Sequence, residues 1–306
     1  MNGPPPPSAA PRSANGGFVL VAVLWMVAAL ATLASIYSVY ATNAAAGLHV
    51  SDDRLQAELS IRAGVELAAC QVLGFPEPAR PTHGRFAVTV GRSRVAVEYR
   101  AETARIDLNA APKDLLVGLF RAVGARDSAA QAYAERVIGW RTRVEPNADN
   151  PEQRAYASAG LAYRPRQAPF EDTLELALVL GLPQPLVERA LRLVTVFSGR
   201  ARVDVVSADP MTLAALPGMT PDVLHAVLTA RAKTPDDARA LLSLLGPARA
   251  GATTDPSKAL RATIRVDLDD SRRIAAEVVF QLRDGGDEPF DILYWRDDID
   301  GPWEAS

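Results

Sequence analysis

The sequence predicts an α+β protein: one long N-terminal helix packed on a small antiparallel sheet, with an all-α domain of helical hairpins inserted between the strands. Three observations predict it. Phe18 to Tyr40 is a run of 23 residues without a charge. Short alternating strands occur before residue 100 and again after residue 260. Between them lies a long stretch of helical periodicity in which two segments look like copies of each other.

The apolar run exceeds the roughly 20 residues a helix needs to cross a bilayer. The nearest charges are Arg12 before it and Asp52 after it. Met1 to Gly17 is rich in proline, serine and alanine, with Arg12 as its only charged side chain. Arg12 and the free N-terminus favour leaving this leader inside and placing the bulk of the chain outside. A conventional secretory signal is the alternative, with cleavage after Ala44-Ala45-Ala46. Its apolar core is usually about 7–15 residues, shorter than this one. An anchored scaffold that is never cleaved is a further alternative.

With 306 residues and 48% hydrophobic content the chain can bury a core, in two or three domains. Its net charge of −3 gives no basic field to gather nucleic acid. A single cysteine, Cys70, excludes an intramolecular disulfide and a Cys-rich zinc site. His49, His83 and His225 are far apart and lack metal-ligand spacing.

The helix is expected to continue beyond the apolar run, because no proline falls between Pro11 and Pro76. Leu55, Leu59, Ala63, Leu67 and Cys70 recur at helical spacing, with Asp52, Arg54, Glu58 and Arg62 on other faces. This predicts one helix from Phe18 to Leu73, with Cys70 an inert core residue and Glu66 at the polar margin. Gly74 to Gly84 is a Pro/Gly-rich break. Phe86, Val88 and Val90, the turn Gly91-Arg92-Ser93, then Val95, Val97 and Tyr99 make a hairpin. At the far end Ile264 to Leu268, Ile274 to Leu282 and Phe290 to Tyr294 alternate around Asp269-Asp270-Ser271 and Asp284-Gly285-Gly286-Asp287, giving a three-strand meander. Hairpin and meander are expected to share one core with the helix, since neither is stable alone.

The first copy within the helical region is Ile106-Asp107-Leu108-Asn109-Ala110-Ala111-Pro112-Lys113-Asp114-Leu115-Leu116. The second is Val203-Asp204-Val205-Val206-Ser207-Ala208-Asp209-Pro210-Met211-Thr212-Leu213. Each has an apolar lead-in, a polar cap at Asn109 or Ser207, and a proline in the first turn. A looser third copy runs from Phe170 through Leu174 and Leu178 to Gly181. Leu216-Pro217-Gly218-Met219-Thr220-Pro221, followed by Val223, Leu224, Val227 and Leu228, resembles a helix-hairpin-helix, whose loop N–H groups can hold a nucleic-acid phosphate. Thr220 stands where a second glycine is usual. Residues 201–250 carry balanced charge, which favours a structural hairpin over DNA binding.

Glu145, Asn147, Asp149 and Glu152 are oxygen donors in one loop, a pattern that suits calcium. Arg141, Arg143 and Arg154 flank them, and a solvated loop is the alternative. Asp297, Asp298 and Asp300 read as a solvated acidic tail. No nucleophile elbow, phosphate loop or zinc-protease motif occurs, and His225 sits within a helical repeat. The chain is therefore expected to be non-enzymatic, with no catalytic residues.

Gly17-Phe18 followed directly by an apolar helix resembles a type IV prepilin-like leader, cut between those residues by prepilin peptidase. The long helix, the split sheet and the helical insertion resemble the K-type minor pseudopilins of bacterial type II secretion. So do three ordered motifs: Arg105 to Pro112, Tyr163-Arg164-Pro165-Arg166-Gln167-Ala168-Pro169-Phe170, and Gly199-Arg200-Ala201-Arg202-Val203-Asp204-Val205. The resemblance implies a processed and N-methylated Phe18. It also gives Ala22 a meaning, because most pilin-like proteins carry a glutamate there to attract a neighbour's N-terminal amine. A subunit at a filament tip has no such neighbour ahead of it, and a buried unpaired charge is costly.

The resemblance further implies a bacterial inner-membrane protein, single-pass, with its leader cytoplasmic and its bulk periplasmic. The implied partners are the I and J minor pseudopilins, the major pseudopilin, prepilin peptidase and the inner-membrane secretion platform, with no nucleic acid. The implied role is to cap the pseudopilus tip, start assembly and limit fibre length in the export of folded proteins. Members of the family can hold calcium in an acidic loop after a Trp-x-Asp motif. Here Trp140 is followed by Arg141 and Thr142; Glu152 matches an acidic position and Gln153 stands where aspartate is common. The expected division is leader 1–17, transmembrane helix 18–40, pilin-like core 41–104, helical domain 105–200, a second SAM-like hairpin unit 201–260, and the closing strands 261–306. The rival reading is a membrane-anchored helix-hairpin-helix protein of DNA uptake.

Overall fold

The structure is a computed structural model that describes residues 16–145, 148–234, 237–255, 257–268, 272–283, 285 and 288–297. The expected leader up to residue 15, the loop residue Asn147, the turn Asp269-Asp270-Ser271, Asp284, Gly286 and Asp287, and the tail residues Asp298 and Asp300 lie outside the described residues. The chain divides into two compact units, Met1–Glu58 and Leu59–Ser306.

One helix, α1 (Gly16–Leu73), makes up the described residues of the first unit and its last part belongs to the second. It is the continuous helix that the lack of proline predicts. In the first unit, Leu20–Tyr40 is a stretch of 21 residues long and apolar enough to cross a membrane, and its side chains are exposed throughout. A helix that is apolar all round has no self-made place to hide that surface.

The second unit holds the sheet and the helical insertion. β1 (His83–Val90) and β2 (Ser93–Ala101) form the expected hairpin, with Phe86 opposite Val97 and Val88 opposite Val95. The chain then leaves the sheet. The insertion begins with a 3₁₀ turn, Glu102–Ala104, and β3 (Ile106–Asp107). It continues through α2 (Lys113–Ala122), α3 (Asp127–Arg141) and α4 (Pro151–Ser158). Next come a 3₁₀ stretch, Thr173–Leu178, then α5 (Gln184–Leu191) and β4 (Val194–Thr195). β5 (Val203–Asp204), α6 (Pro210–Ala214), α7 (Pro221–Lys233), α8 (Ala238–Leu244) and β6 (Ala252–Thr253) follow. The chain returns to the sheet with β7 (Ala259–Asp267), β8 (Arg273–Leu282) and β9 (Phe290–Asp297). The five-stranded sheet has the order β1-β2-β7-β8-β9 and is antiparallel throughout, so β2 and β7 pair directly across the insertion.

The period of two divides the sheet into two faces. Val95, Val97, Ile264, Val266, Ala276, Val278 and Phe280 form one core with Ile61, Val65, Ala68, Ala69 and Val72 of α1. This corrects the expected packing stripe of the helix. Leu59 and Leu67 are 53% and 40% exposed, and Cys70 is exposed rather than an inert core residue. Leu55 is also exposed. The physical reason is distance. A Cβ added at Gly64 would sit 3.1 Å from Ile264 and Val97 side chains, so the helix face laid on the sheet must be small. Ala, Val, Ile and Gly allow that approach, and the leucines are left outside.

The insertion has a single continuous core that joins both copies: Leu108, Leu115, Leu119, Phe120, Val137 and Trp140 with Val205, Leu213, Val227 and Leu241. The expected units 105–200 and 201–260 therefore share their interior. α2 packs tightly on the end of α6 at Gly118, where a Cβ would lie 1.8 Å from the carbonyl oxygen of Ala215. The third copy differs from the others. Phe170 to Gly181 contains a 3₁₀ stretch in which Leu176 is buried while Leu174 and Leu178 are exposed. Asp172 and Glu175 close it with a reciprocal capping box, which fixes a tight turn rather than a longer helix.

Candidate functional site

The two copies are built on the same polar device, and its centre is an aspartate. In the first, buried Asp107 accepts hydrogen bonds from the backbone N–H groups of Asn109 (2.7 Å) and Ala110 (3.1 Å). In the second, buried Asp204 accepts from the Val206 N–H (3.0 Å) and the Ser207 hydroxyl. Each aspartate is the second residue of a two-residue strand in a parallel pairing, β3 with β4 and β5 with β6. An arginine from the second helix of each hairpin then ties off the turn's carbonyls. Arg141 donates to Leu108 O and to Ala111 O (2.7 Å). Arg231 donates to Val205 O (3.4 Å) and Ala208 O (2.6 Å). Burial lowers both guanidinium pKa values, while Asp107 pulls Arg141 back up and Arg100 adds repulsion at Arg231.

This corrects the expected caps. Neither Asn109 nor Ser207 caps a helix: α2 starts after Pro112 and α6 after Asp209, and neither has a side-chain cap. Asn109 reaches elsewhere, accepting from the Phe170 N–H (2.7 Å) and donating to Phe170 O (2.9 Å). Asp107 also accepts from the Ser198 hydroxyl (3.0 Å) and the Gly199 N–H (2.7 Å). The three motifs separated in sequence thus meet at Asp107 and Asn109. The sequence signal for Asp107 and Asp204 was available in the matching Ile-Asp-Leu and Val-Asp-Val lead-ins. Arg141 and Arg231 were missed because their partners are carbonyls, which leave no side-chain signature.

The hairpin loops carry acid at the helix starts. Asp127 is in the first turn of α3 and Asp222 in the first turn of α7, where Thr220 accepts from Val223 N–H at 3.3 Å. A carboxylate there competes with any phosphate approaching the helix N-terminus. His225 is exposed.

The candidate calcium residues are placed as follows. Glu145 and Asp149 are exposed, and Asp149 pairs with Arg154. Glu152 Oε2 accepts from Arg136 at 2.9 Å, while Glu152 Oε1 is buried without a hydrogen-bond partner. Burial raises the Glu152 pKa, and Arg136 offsets part of that rise. Trp140 packs 6.1 Å from Tyr156 and Phe170 and donates to Glu175 at 3.2 Å. Among the described residues, no three Asp, Glu, His or Cys side chains converge as a cation would need. Arg136 and Arg154 already supply positive charge to Glu152 and Asp149.

At the N-terminal end, Gly16, Gly17 and Phe18 are helical and Ala22 is exposed on the same helix, so the proposed cut and the missing-glutamate position share one apolar rod.

Where the insertion joins the sheet, Glu102 is fully buried and ion-paired to Arg261 of β7, which also bonds Glu277 of β8 at 2.6 Å. Thr195 of β4 donates its hydroxyl to the same Glu102 carboxylate.

Residues 98–199 match the family described as type II secretion system (T2SS), protein K. The span opens in β2, takes in Asp107, Asn109, Trp140 and Phe170, and ends at Gly199. None of the curated protein sequences matches the chain. A solved chain from the GspK-GspI-GspJ complex of the enterotoxigenic Escherichia coli type 2 secretion system is similar in fold. The TM-score is 0.58 at 16% identity, covering 82% of this chain and 99% of that one. The chain is thus similar to type II secretion system protein K over residues 98–199, and similar in fold to a chain of the GspK-GspI-GspJ complex.

Proposed function

We propose that this protein is a minor pseudopilin of a type II secretion system, non-enzymatic and anchored in the bacterial inner membrane by Leu20–Tyr40. The match of residues 98–199 to protein K carries the reading. The similarity to a chain from a complex with GspI and GspJ supports sibling subunits of the I and J types as partners. The exposed apolar helix that begins beside Gly17-Phe18 supports processing by prepilin peptidase and N-methylation of Phe18. On this reading the leader is cytoplasmic and the sheet and insertion are periplasmic.

Assembly follows from helix packing. The apolar part of α1 waits in the bilayer, and the exposed leucines Leu55, Leu59 and Leu67 offer a face to neighbouring helices. Ala22 leaves no charge to pair with a subunit ahead, which suits a place at the tip of the pseudopilus. There the helical insertion would start assembly, stop further addition and limit fibre length during export of folded proteins. The major pseudopilin and the inner-membrane platform complete the expected partners. Calcium, if it acts here, would be held at Glu145, Asp149 and Glu152, and would have to displace Arg136 and Arg154.

The test is the intact mass of the chain after co-expression with a prepilin peptidase, beside a Gly17→Leu control. A new N-terminus at Phe18, absent in the control, is expected, followed by co-purification of I and J subunits. An uncut chain, or one cut after Ala46, sinks the reading.

A further inference from the structure

On the sheet face turned away from α1, a cavity of about 320 Å³ opens beneath the helical insertion. That volume lies at the lower end of the roughly 300–1,000 Å³ of ligand pockets. Four arginines line it: Arg105, Arg192, Arg261 and Arg296. Two of them are committed. Arg261 is held by Glu102 and Glu277, and Arg296 reaches the same Glu277 oxygen at 3.4 Å. The other two are not. Among the described residues, no side-chain hydrogen bond or ion pair is made by Arg105 or Arg192.

The acids in the lining are already used. Glu277 serves two arginines, and Asp172 accepts from the Leu174 N–H at 2.7 Å in its capping role. Burial lowers the Arg105 pKa and repulsion by Arg261 adds to it; the charges of Glu102, Glu277 and Asp209 offset only part of this, so its charge is held at a cost. A partly buried cation with no carboxylate in hydrogen-bond contact is costly, and an anion placed beside it reduces that cost. The wall beside the arginines is apolar: Leu174 is 63% exposed, and the rings of Phe197 and Tyr294 lie 6.2 Å apart. A free inorganic ion would not use such a wall, whereas an acidic residue flanked by apolar ones would.

We propose that this cavity binds a carboxylate carried on a peptide, with Arg105 and Arg192 as its cationic contacts and Leu174, Phe197 and Tyr294 receiving the neighbouring side chain. The site stands whether or not the chain is processed at Gly17.

The full chain in detergent micelles is titrated calorimetrically with acetyl-Leu-Asp-Phe-amide, with its Asn counterpart and with inorganic phosphate. Saturable binding of the Asp peptide is expected, weaker by about 10-fold or more for the Asn peptide, because a charge-assisted hydrogen bond is lost. Arg105→Gln is expected to cost a similar factor while holding or raising the thermal midpoint, since it removes a buried charge that its neighbours only partly compensate. A purely structural Arg105 would lower that midpoint. Arg192→Gln, at an exposed position, gives the same loss of binding without a folding risk. Equal affinity for the Asp and Asn peptides, unchanged affinity in both variants, or saturation by phosphate alone overturns the proposal. A chain ending at Asp297 separates the two sources of carboxylate. Tighter binding by the shorter chain identifies Asp298 and Asp300 as the natural occupants, and equal binding identifies a partner protein.

Discussion

The carboxylate of Glu102 takes both Nε and Nη2 of Arg261, at 2.7 and 3.2 Å, across a sequence separation of 159 residues. Glu102 lies at the point where the chain leaves β2 for the insertion, and Arg261 stands on β7, where it has returned. The pair therefore closes the mouth of the insertion on the sheet. Burial pulls the Arg261 guanidinium down, but the charges and hydrogen bonds of Glu102 and Glu277 together raise it above its ordinary value.

Breaking a buried pair by removing one partner leaves the other charge uncompensated, a loss of about 3–5 kcal/mol. Glu102→Ala should lose that much in urea denaturation of the full chain in detergent, followed by tryptophan fluorescence. Glu102→Ala combined with Arg261→Met should lose less than the sum of the single changes. A loss below about 1 kcal/mol for Glu102→Ala would show that the joint is held by packing alone.

Much of the architecture was legible because it rests on period and punctuation. The continuous helix follows from the absence of proline before Pro76, and the hairpin and meander from strict alternation around turns. The insertion was legible as a repeat. What escaped was side-chain direction. Leu59 and Leu67 fit a helical stripe as well as Ile61 and Val65 do, and only the close approach at Gly64 decides which stripe meets the sheet. Asn109 has the sequence look of a cap, yet its partner Phe170 is far along the chain. The joint of Glu102 with Arg261 and Thr195 joins residues no local pattern connects.

Gly118 is where the two copies meet, and its missing Cβ is what lets α2 approach Ala215. Gly118→Val would force backbone to move, since the new atom would begin 1.8 Å from a carbonyl oxygen. Overpacking of this kind costs about 1–3 kcal/mol and more when backbone must shift. The same readout should show a loss at or above the upper end of that range. Gly160→Ala, in open space but at a φ of +71°, should lose only about 1 kcal/mol from backbone strain. Equal losses at the two sites would remove the claim that close packing of the copies depends on Gly118.

Arg141 and Arg231 test whether the repeated device is energetic or decorative. Each satisfies two carbonyls that would otherwise lack a partner from this helix. Replacing either by Met keeps much of the apolar stem and removes the donors, which should cost about 1–3 kcal/mol. The Arg141 change should be the larger. Its Ala111 bond is 2.7 Å with a second short contact to Leu108, whereas the Val205 bond of Arg231 is 3.4 Å. Hydrogen exchange at the turn amides of Asn109 and Val206 reads the two sites separately, and unchanged protection in both variants would count against the device.

Tyr156 gives the insertion a defined response to alkali. Its hydroxyl donates to Leu178 O at 3.3 Å and accepts from the Leu180 N–H at 2.8 Å, within the core beside Trp140. Burial raises its pKa from 10.0 to about 12, partly offset by the Leu180 bond. The folded value lies above the unfolded one, so the fold favours the protonated phenol. That contribution is fully present below pH 10 and is lost as pH rises through 10 towards 12. Tyr156→Phe has no proton to lose, but it strands Leu178 O and Leu180 N–H at a cost of about 1–2 kcal/mol. The stability difference between the native chain and Tyr156→Phe should therefore be widest near pH 8 and shrink between pH 10 and 12. Other tyrosines and lysines titrate in both chains and cancel in the difference. A difference that stays constant across the window would mean that the Tyr156 hydroxyl titrates alike in the folded and unfolded chain.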